Sequence, residues 1–114
     1  MPRYIILEHD WPSRHWDFLL ECGDVLRAWR LLAEPRAEEP ISVEPNFDHR
    51  LLYLDYEGPL SGDRGGVIRW DAGIFEWIAN DRNFVKVKLS GGKLTGIFQI
   101  VQTPEGWRAS WTPL

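Results

Sequence analysis

The chain has 114 residues, 44% hydrophobic and 26% charged, which suits one folded domain large enough to bury a core. Its formal net charge of −4 excludes a broad basic face, so any polynucleotide contact must be local. A single cysteine, Cys22, excludes an internal disulfide; no apolar run reaches membrane-spanning length and no signal-peptide pattern opens the chain, so a cytoplasmic protein without membrane contact is expected.

The first apolar run, Tyr4-Ile5-Ile6-Leu7, reads as a strand that ends at His9. A short bend, Asp10-Trp11-Pro12-Ser13, leads into a second run in which apolar and polar residues alternate. Trp16, Phe18, Leu20 and Cys22 fall on one side, and His15, Asp17, Leu19 and Glu21 on the other. The expectation is a half-buried strand whose polar face carries His15 and Asp17, with the bend returning His9 toward both. Two imidazoles and a carboxylate form a common ligand set for a divalent transition metal with open positions. The same residues also fit a merely solvated outer sheet face.

Residues 21–24 read as a turn, and Val25–Leu32 as a strand continuing the meander rather than a helix. Residues 33–45, with three prolines and four glutamates, read as an exposed excursion. His49 to Glu57 is expected to be a strand with His49, Leu51, Tyr53, Asp55 and Glu57 on one face. Residues 58–66 form a Gly-rich loop carrying Arg64, without the spacing of a P-loop. Val67–Trp70 and Ile74–Trp77 read as two strands of a hairpin turning at Asp71-Ala72-Gly73. Further strands are expected at Phe84–Leu89 (with Lys86 and Lys88 outward), Leu94–Gln102 and Trp107–Trp111. Seven tryptophans suggest a β-rich core or an aromatic rim around a groove. Many short strands with Gly-rich turns predict a mainly β, single-domain fold over residues 1–114. Its form is a small closed or nearly closed β-barrel with short flanking helical or irregular segments.

The chain's three histidines all lie on or beside these two polar strand faces. His9, His15 and Asp17 are the metal candidates; Mn²⁺ or Zn²⁺ held there would polarise a phosphoryl or carbonyl oxygen and acidify bound water. His49 and Tyr53 are candidates for an acid or for donors to phosphate oxygen. Glu21, on the same face as Asp17, is a candidate to orient a ligand imidazole or contact substrate. Trp11 and Trp16 suit base stacking or, more simply, core packing.

The run His9-x5-His15-x-Asp17-Phe18-x-Leu20-Glu21 resembles the opening motif of the 3′-phosphoesterase module of bacterial DNA ligase D, His-x5-His-x-Asp-Phe-Arg-Leu-Glu. The segment Asp48-His49-Arg50-Leu51-Leu52-Tyr53-Leu54-Asp55-Tyr56-Glu57-Gly58 is similar to that family's Asp-His-Pro-Leu-Asp-Tyr-x-Asp-Phe-Glu-Gly. Likeness continues through Val67-Ile68-Arg69-Trp70-Asp71-x-Gly73 and Lys88-Leu89-x-Gly91-x-x-Leu94-x-Gly96. The resemblance implies a manganese-dependent enzyme that removes a 3′-phosphate or a 3′-terminal ribonucleoside from nucleic-acid ends in end repair. Separate ligase or polymerase repair proteins would be its partners. It implies His9, His15 and Asp17 as metal ligands, His49 as the histidine contacting the scissile phosphate, and Tyr53 as an active-site tyrosine.

The departures are informative. The family's arginine two residues past the metal-binding aspartate is Leu19 here, on the face where an arginine would reach an anion at the metal. A second arginine, several residues before the active-site histidine, has no counterpart in Ile41-Ser42-Val43-Glu44, and the acidic residue two before it is Phe47. Arg14, as a catalytic residue, and Arg50 and Arg64, as substrate-binding residues, are the candidates to supply the charge. Losing one such contact costs on the order of 2–4 kcal/mol of transition-state stabilisation. An alternative is therefore a weak or inactive metal-binding relative that holds nucleic-acid ends or a repair partner. Hydrolysis of a small nucleotide is a third reading, favoured by the negative charge.

Overall fold

The computed structural model describes residues 1–114. Nine strands follow one another: β1 (Arg3–His9), β2 (His15–Cys22), β3 (Val25–Leu31), β4 (Ile41–Arg50), β5 (Gly58–Pro59), β6 (Gly66–Asn80), β7 (Phe84–Gly91), β8 (Thr95–Thr103) and β9 (Gly106–Pro113). A single 3-10 turn, Leu51–Leu54, separates β4 from β5. All strand pairs are antiparallel, in the order β1-β2-β3-β4-β9-β8-β7-β6, and β1 also pairs with β6. That last pairing closes an eight-stranded barrel, with β5 a two-residue addition at the edge of β6. No helix is long and apolar enough to cross a membrane.

The barrel interior takes one side of every strand: Tyr4 and Ile6, Trp16, Phe18 and Leu20, Trp29 and Leu31, Ile41 and Val43, Phe75, Val85, Val87 and Leu89, Phe98 and Ile100, and Ala109. The alternation in β2 and β7 thus points as the sequence indicates, with Lys86 and Lys88 turned away from the buried side of β7.

Three segments differ from the sequence expectation. Residues 67–77 do not form a hairpin, because β6 runs unbroken through Asp71-Ala72-Gly73. Its first half pairs with β1 and its second with β7, which is how one long strand closes the barrel. Gly73 is there for close approach: a Cβ on it would lie 2.2 Å from the Ser90 carbonyl oxygen of β7. Of the excursion expected over 33–45, only the part before Ile41 lies outside strands; Ile41 and Val43 are buried in the barrel. The strand expected over 49–57 ends at Arg50, and the chain winds into the 3-10 turn. Leu51 and Leu54, three residues apart, share one side of such a turn. They reach down onto a second apolar cluster on the outside of the barrel: Ile5, Leu7, Leu19, Leu26, Ala28 and Val67.

The outer face of β1–β3 is therefore split. Residues 51–60 roof its lower half over Leu19 and Leu26. Its upper half, at the His9 and His15 end, stays open as a cleft.

Candidate active site

The β1–β2 register places Tyr4 opposite Leu20, Leu7 opposite Asp17 and His9 opposite His15. Directly opposed residues share a face, so both imidazoles and the Asp17 carboxylate project outward together. The rings of His9 and His15 lie 4.7 Å apart. One nitrogen from each and one Asp17 oxygen all fall within 4.8 Å of one another. His15 and Asp17 are buried, at 2% and 7% exposure, and the His9 side chain is 12% exposed.

Backbone carbonyls fix the tautomers. His15 Nδ1–H donates to the Ser13 carbonyl at 2.8 Å, and His9 Nε2–H donates to the Arg64 carbonyl at 2.9 Å. In the neutral rings the lone pairs then sit on His15 Nε2 and His9 Nδ1, which face Asp17 Oδ1 at 3.1 Å and Oδ2 at 3.4 Å. His15 Nε2 is buried with no hydrogen-bond partner, because Asp17 is near it but off the line that a bond requires. Two nitrogen lone pairs and a carboxylate turned on one point repel unless a positive charge lies among them. A divalent cation fits this set, and the two carbonyls are the outer partners that metal-binding imidazoles typically carry. Burial disfavours imidazolium at His15 and the Arg30 charge adds to this. Asp17 and the Ser13 carbonyl outweigh both and hold the His15 pKa above its ordinary value.

Glycine seats the loop that orients His9. Gly65 has φ +71°, and a Cβ there would fall 2.1 Å from Asp10 Oδ1, which instead accepts the Gly66 N–H at 2.9 Å. This locks residues 64–66 against the bend after β1 and sets the Arg64 carbonyl on His9.

The triad opens into a cleft of about 330 Å³ whose lining includes Trp11, Arg30, Asn46, Asp48, His49, Arg50, Tyr53 and Arg64 over a floor of Leu7, Leu60 and Val67. Three arginines face two aspartates there, a cationic balance within a chain of net charge −4. Such a local cationic surface is compatible with the net negative charge of the chain. His49 lies opposite Leu26 on β3, on the outward face. Its Nδ1–H donates to the Phe47 carbonyl at 2.9 Å, which leaves Nε2 for a ligand. Its ring stacks on exposed Phe47 at 5.3 Å and meets Tyr53 edge-on at 5.7 Å.

Of the residues singled out from the sequence, His9, Asp17, His49, Tyr53, Arg50 and Arg64 line this cleft, buried His15 joins it through its cluster with His9 and Asp17, and two do not reach it. Arg14 lies outside it, paired with Glu8 at 3.1 Å and laid over the Trp16 ring. Glu21 accepts the Arg3 N–H at 2.8 Å at the far end of β2. Four residues along a strand is about 13 Å, too far to orient a ligand of the triad. Leu19 between them is fully buried in the outer apolar cluster and faces no solvent, so the polar face expected along β2 ends at Asp17. Arg30, Asn46 and Asp48 were missed. Arg30 was accessible by counting outward from the turn at Gly23-Asp24, since Cys22 pairs with Val25 and Asp17 with Arg30.

The DNA ligase D 3′-phosphoesterase domain model matches residues 7–102, a span that includes the triad and the cleft residues. The chain belongs to this family. It is 33% identical over 110 residues to the multifunctional non-homologous end joining DNA repair protein LigD of Mycobacterium tuberculosis, covering 88% of this chain. It is 30% identical over 121 residues to the multifunctional non-homologous end joining protein LigD of Pseudomonas aeruginosa, covering 96% of this chain. In both cases the match spans 14% of the relative's own length.

Proposed function

We propose that this phosphoesterase-family domain is a divalent-metal-dependent phosphoesterase acting on nucleic-acid 3′ ends in DNA end joining. It would remove a 3′-phosphate or a 3′-terminal ribonucleoside. The observation that carries the reading is the convergence of two imidazole lone pairs on the Asp17 carboxylate at the floor of a cationic cleft. His9, His15 and Asp17 would hold Mn²⁺ or another transition ion, which supplies Lewis-acid polarisation of a phosphoryl oxygen. His49 keeps Nε2 toward the cleft because its other nitrogen is tied to the Phe47 carbonyl. When protonated it donates to a phosphate oxygen or to the leaving group. Tyr53, edge-on to His49, limits the swing of that ring. Hydrolytic release of the ribonucleoside leaves a 3′-phosphate, and hydrolysis of that phosphate leaves a 3′-hydroxyl, the end that a ligase or polymerase requires; such proteins are the partners in this reading.

A second reading, a metal-binding but catalytically weak relative, draws on Leu19: its side chain fills the outer apolar cluster and brings no charge to the cleft. Incubation with Mn²⁺ separates the readings, using an oligonucleotide that ends in a 3′-phosphate, one that ends in a 3′-ribonucleoside, and a free nucleoside monophosphate. Release of phosphate or nucleoside from the ends, abolished by chelation and lowered at least ~10²-fold by His49→Ala, is the expected result. Turnover of the mononucleotide alone would make this a nucleotidase. Mn²⁺ binding without any turnover would leave the non-catalytic reading.

A further inference from the structure

We infer that Arg30 binds the phosphate oxygens of an anion held at the His9–His15–Asp17 site, supplying from β3 the charge that position 19 of β2 does not carry. The inference rests on the phosphate-ester reading of that site and names one of its binding groups.

Four observations support it. Arg30 is the direct cross-strand partner of Asp17, so its side chain leaves the sheet on the same outward face and next to the triad carboxylate. It lines the cleft with His9, Asp17 and His49. Its side chain is 32% exposed, which leaves the guanidinium accessible while less of its charge is screened than at a fully exposed position. Its nearest acid is Glu44, its other cross-strand neighbour, at 3.7 Å, too long for a hydrogen bond, and the Glu44 side chain is 59% exposed. The guanidinium fork is thus held in place but not consumed.

The other cations are placed differently. The Arg64 guanidinium donates to the Ser61 carbonyl and hydroxyl of its own loop. Arg14 is outside the cleft on Glu8. Arg50 is exposed at the end of β4, where β3 offers Val25 opposite it, five residues from Arg30. A guanidinium beside the carboxylate that holds the cation binds the same phosphate from the adjacent side, with two parallel N–H donors on two oxygens.

The test is calorimetric binding, with Mn²⁺ present, of a DNA oligonucleotide whose 3′-phosphate is replaced by a 3′-methylenephosphonate, a 3′-phosphate end that the proposed reaction cannot hydrolyse, against the same strand ending in a 3′-hydroxyl. Wild type should prefer the 3′-phosphate end. Arg30→Gln should bind it ~10- to 100-fold more weakly while its Mn²⁺ affinity and its binding of the 3′-hydroxyl strand stay within about twofold. Arg30→Lys, which keeps the charge but not the fork, should fall between, and Glu44→Gln, which removes a negative charge beside the guanidinium, should tighten binding slightly. Arg50→Gln and Arg64→Gln should each lose less than Arg30→Gln. Unchanged 3′-phosphate affinity in a folded, Mn²⁺-binding Arg30→Gln protein overturns the assignment alone, as does a larger loss at Arg50 or Arg64. Absence of Mn²⁺ binding in the wild type overturns the metal reading and this inference with it.

Discussion

Two buried aspartates, Asp17 on β2 and Asp71 on β6, have nearly the same exposure, 7% and 5%, and opposite surroundings. Asp71 meets only donors: the Tyr4 hydroxyl at 2.6 Å and the Lys93 and Leu94 N–H groups at 2.8 and 3.0 Å. Its charge is met, and the carboxylate ties β1, β6 and the turn after β7 together. Asp17 meets two imidazoles whose protons are directed away, to the Ser13 and Arg64 carbonyls. A buried carboxylate with its donors present is a structural clamp. One faced by two ring lone pairs has no such donors, an arrangement that a cation would complete, and that contrast distinguishes candidate site from scaffold.

The sharpest way to break this contrast is to remove each carboxylate. Asp71→Ala should cost roughly 3–5 kcal/mol of unfolding free energy in urea, because it strands the buried Tyr4 hydroxyl and two backbone donors. Its Mn²⁺ affinity should stay near that of wild type while the protein is folded. Asp17→Ala should reverse the pattern, losing metal with little loss of metal-free stability. Equal stability costs at the two positions would refute the distinction.

His15→Ala should weaken Mn²⁺ binding at least ~10²-fold, about 2.7 kcal/mol, by removing one of three protein ligands. Calorimetry giving unchanged affinity would remove the triad assignment. Gly65→Ala tests the carbonyl that orients His9. Its Cβ must displace Asp10, so the Arg64 carbonyl moves and Mn²⁺ affinity should fall ~10- to 100-fold, the usual effect of losing an outer partner.

The smallest effect is a pH slope confined to the Asp71 cluster. Burial, then the bond to Asp71, push the Tyr4 phenol above its ordinary value near 10. The folded chain keeps that proton where the unfolded chain releases it, so the stabilisation is complete below about pH 10 and declines as pH rises above it. Tyr4→Phe should remove that share of the alkaline decline and cost about 1 kcal/mol at neutral pH. An alkaline unfolding profile identical in wild type and variant would show that Tyr4 titrates normally.

The local part of the site was legible in the sequence. Alternation in β2 and a short bend after His9 suffice to pair His9 with His15, and the turn at Gly23-Asp24 sets Arg30 opposite Asp17. The barrel was legible as well, since strand after strand alternates and a turn follows each. Leu19 was not, and neither was Asp71. Period two assigns a residue to a side of the sheet but says nothing of what covers that side. Only the 3-10 turn at Leu51–Leu54, folded back from β4, turns the outer face around Leu19 into a second core. Asp71 likewise reads as a turn residue until β1 and β7 pair on either half of β6 and the chain after β7 delivers its donors. Strand faces come from neighbours in sequence, so composition and spacing determined the triad. The roof over Leu19 and the clamp on Asp71 come from contacts between distant segments, so only the tertiary structure decided them: the fold-back after β4 for the first and closure of the barrel for the second.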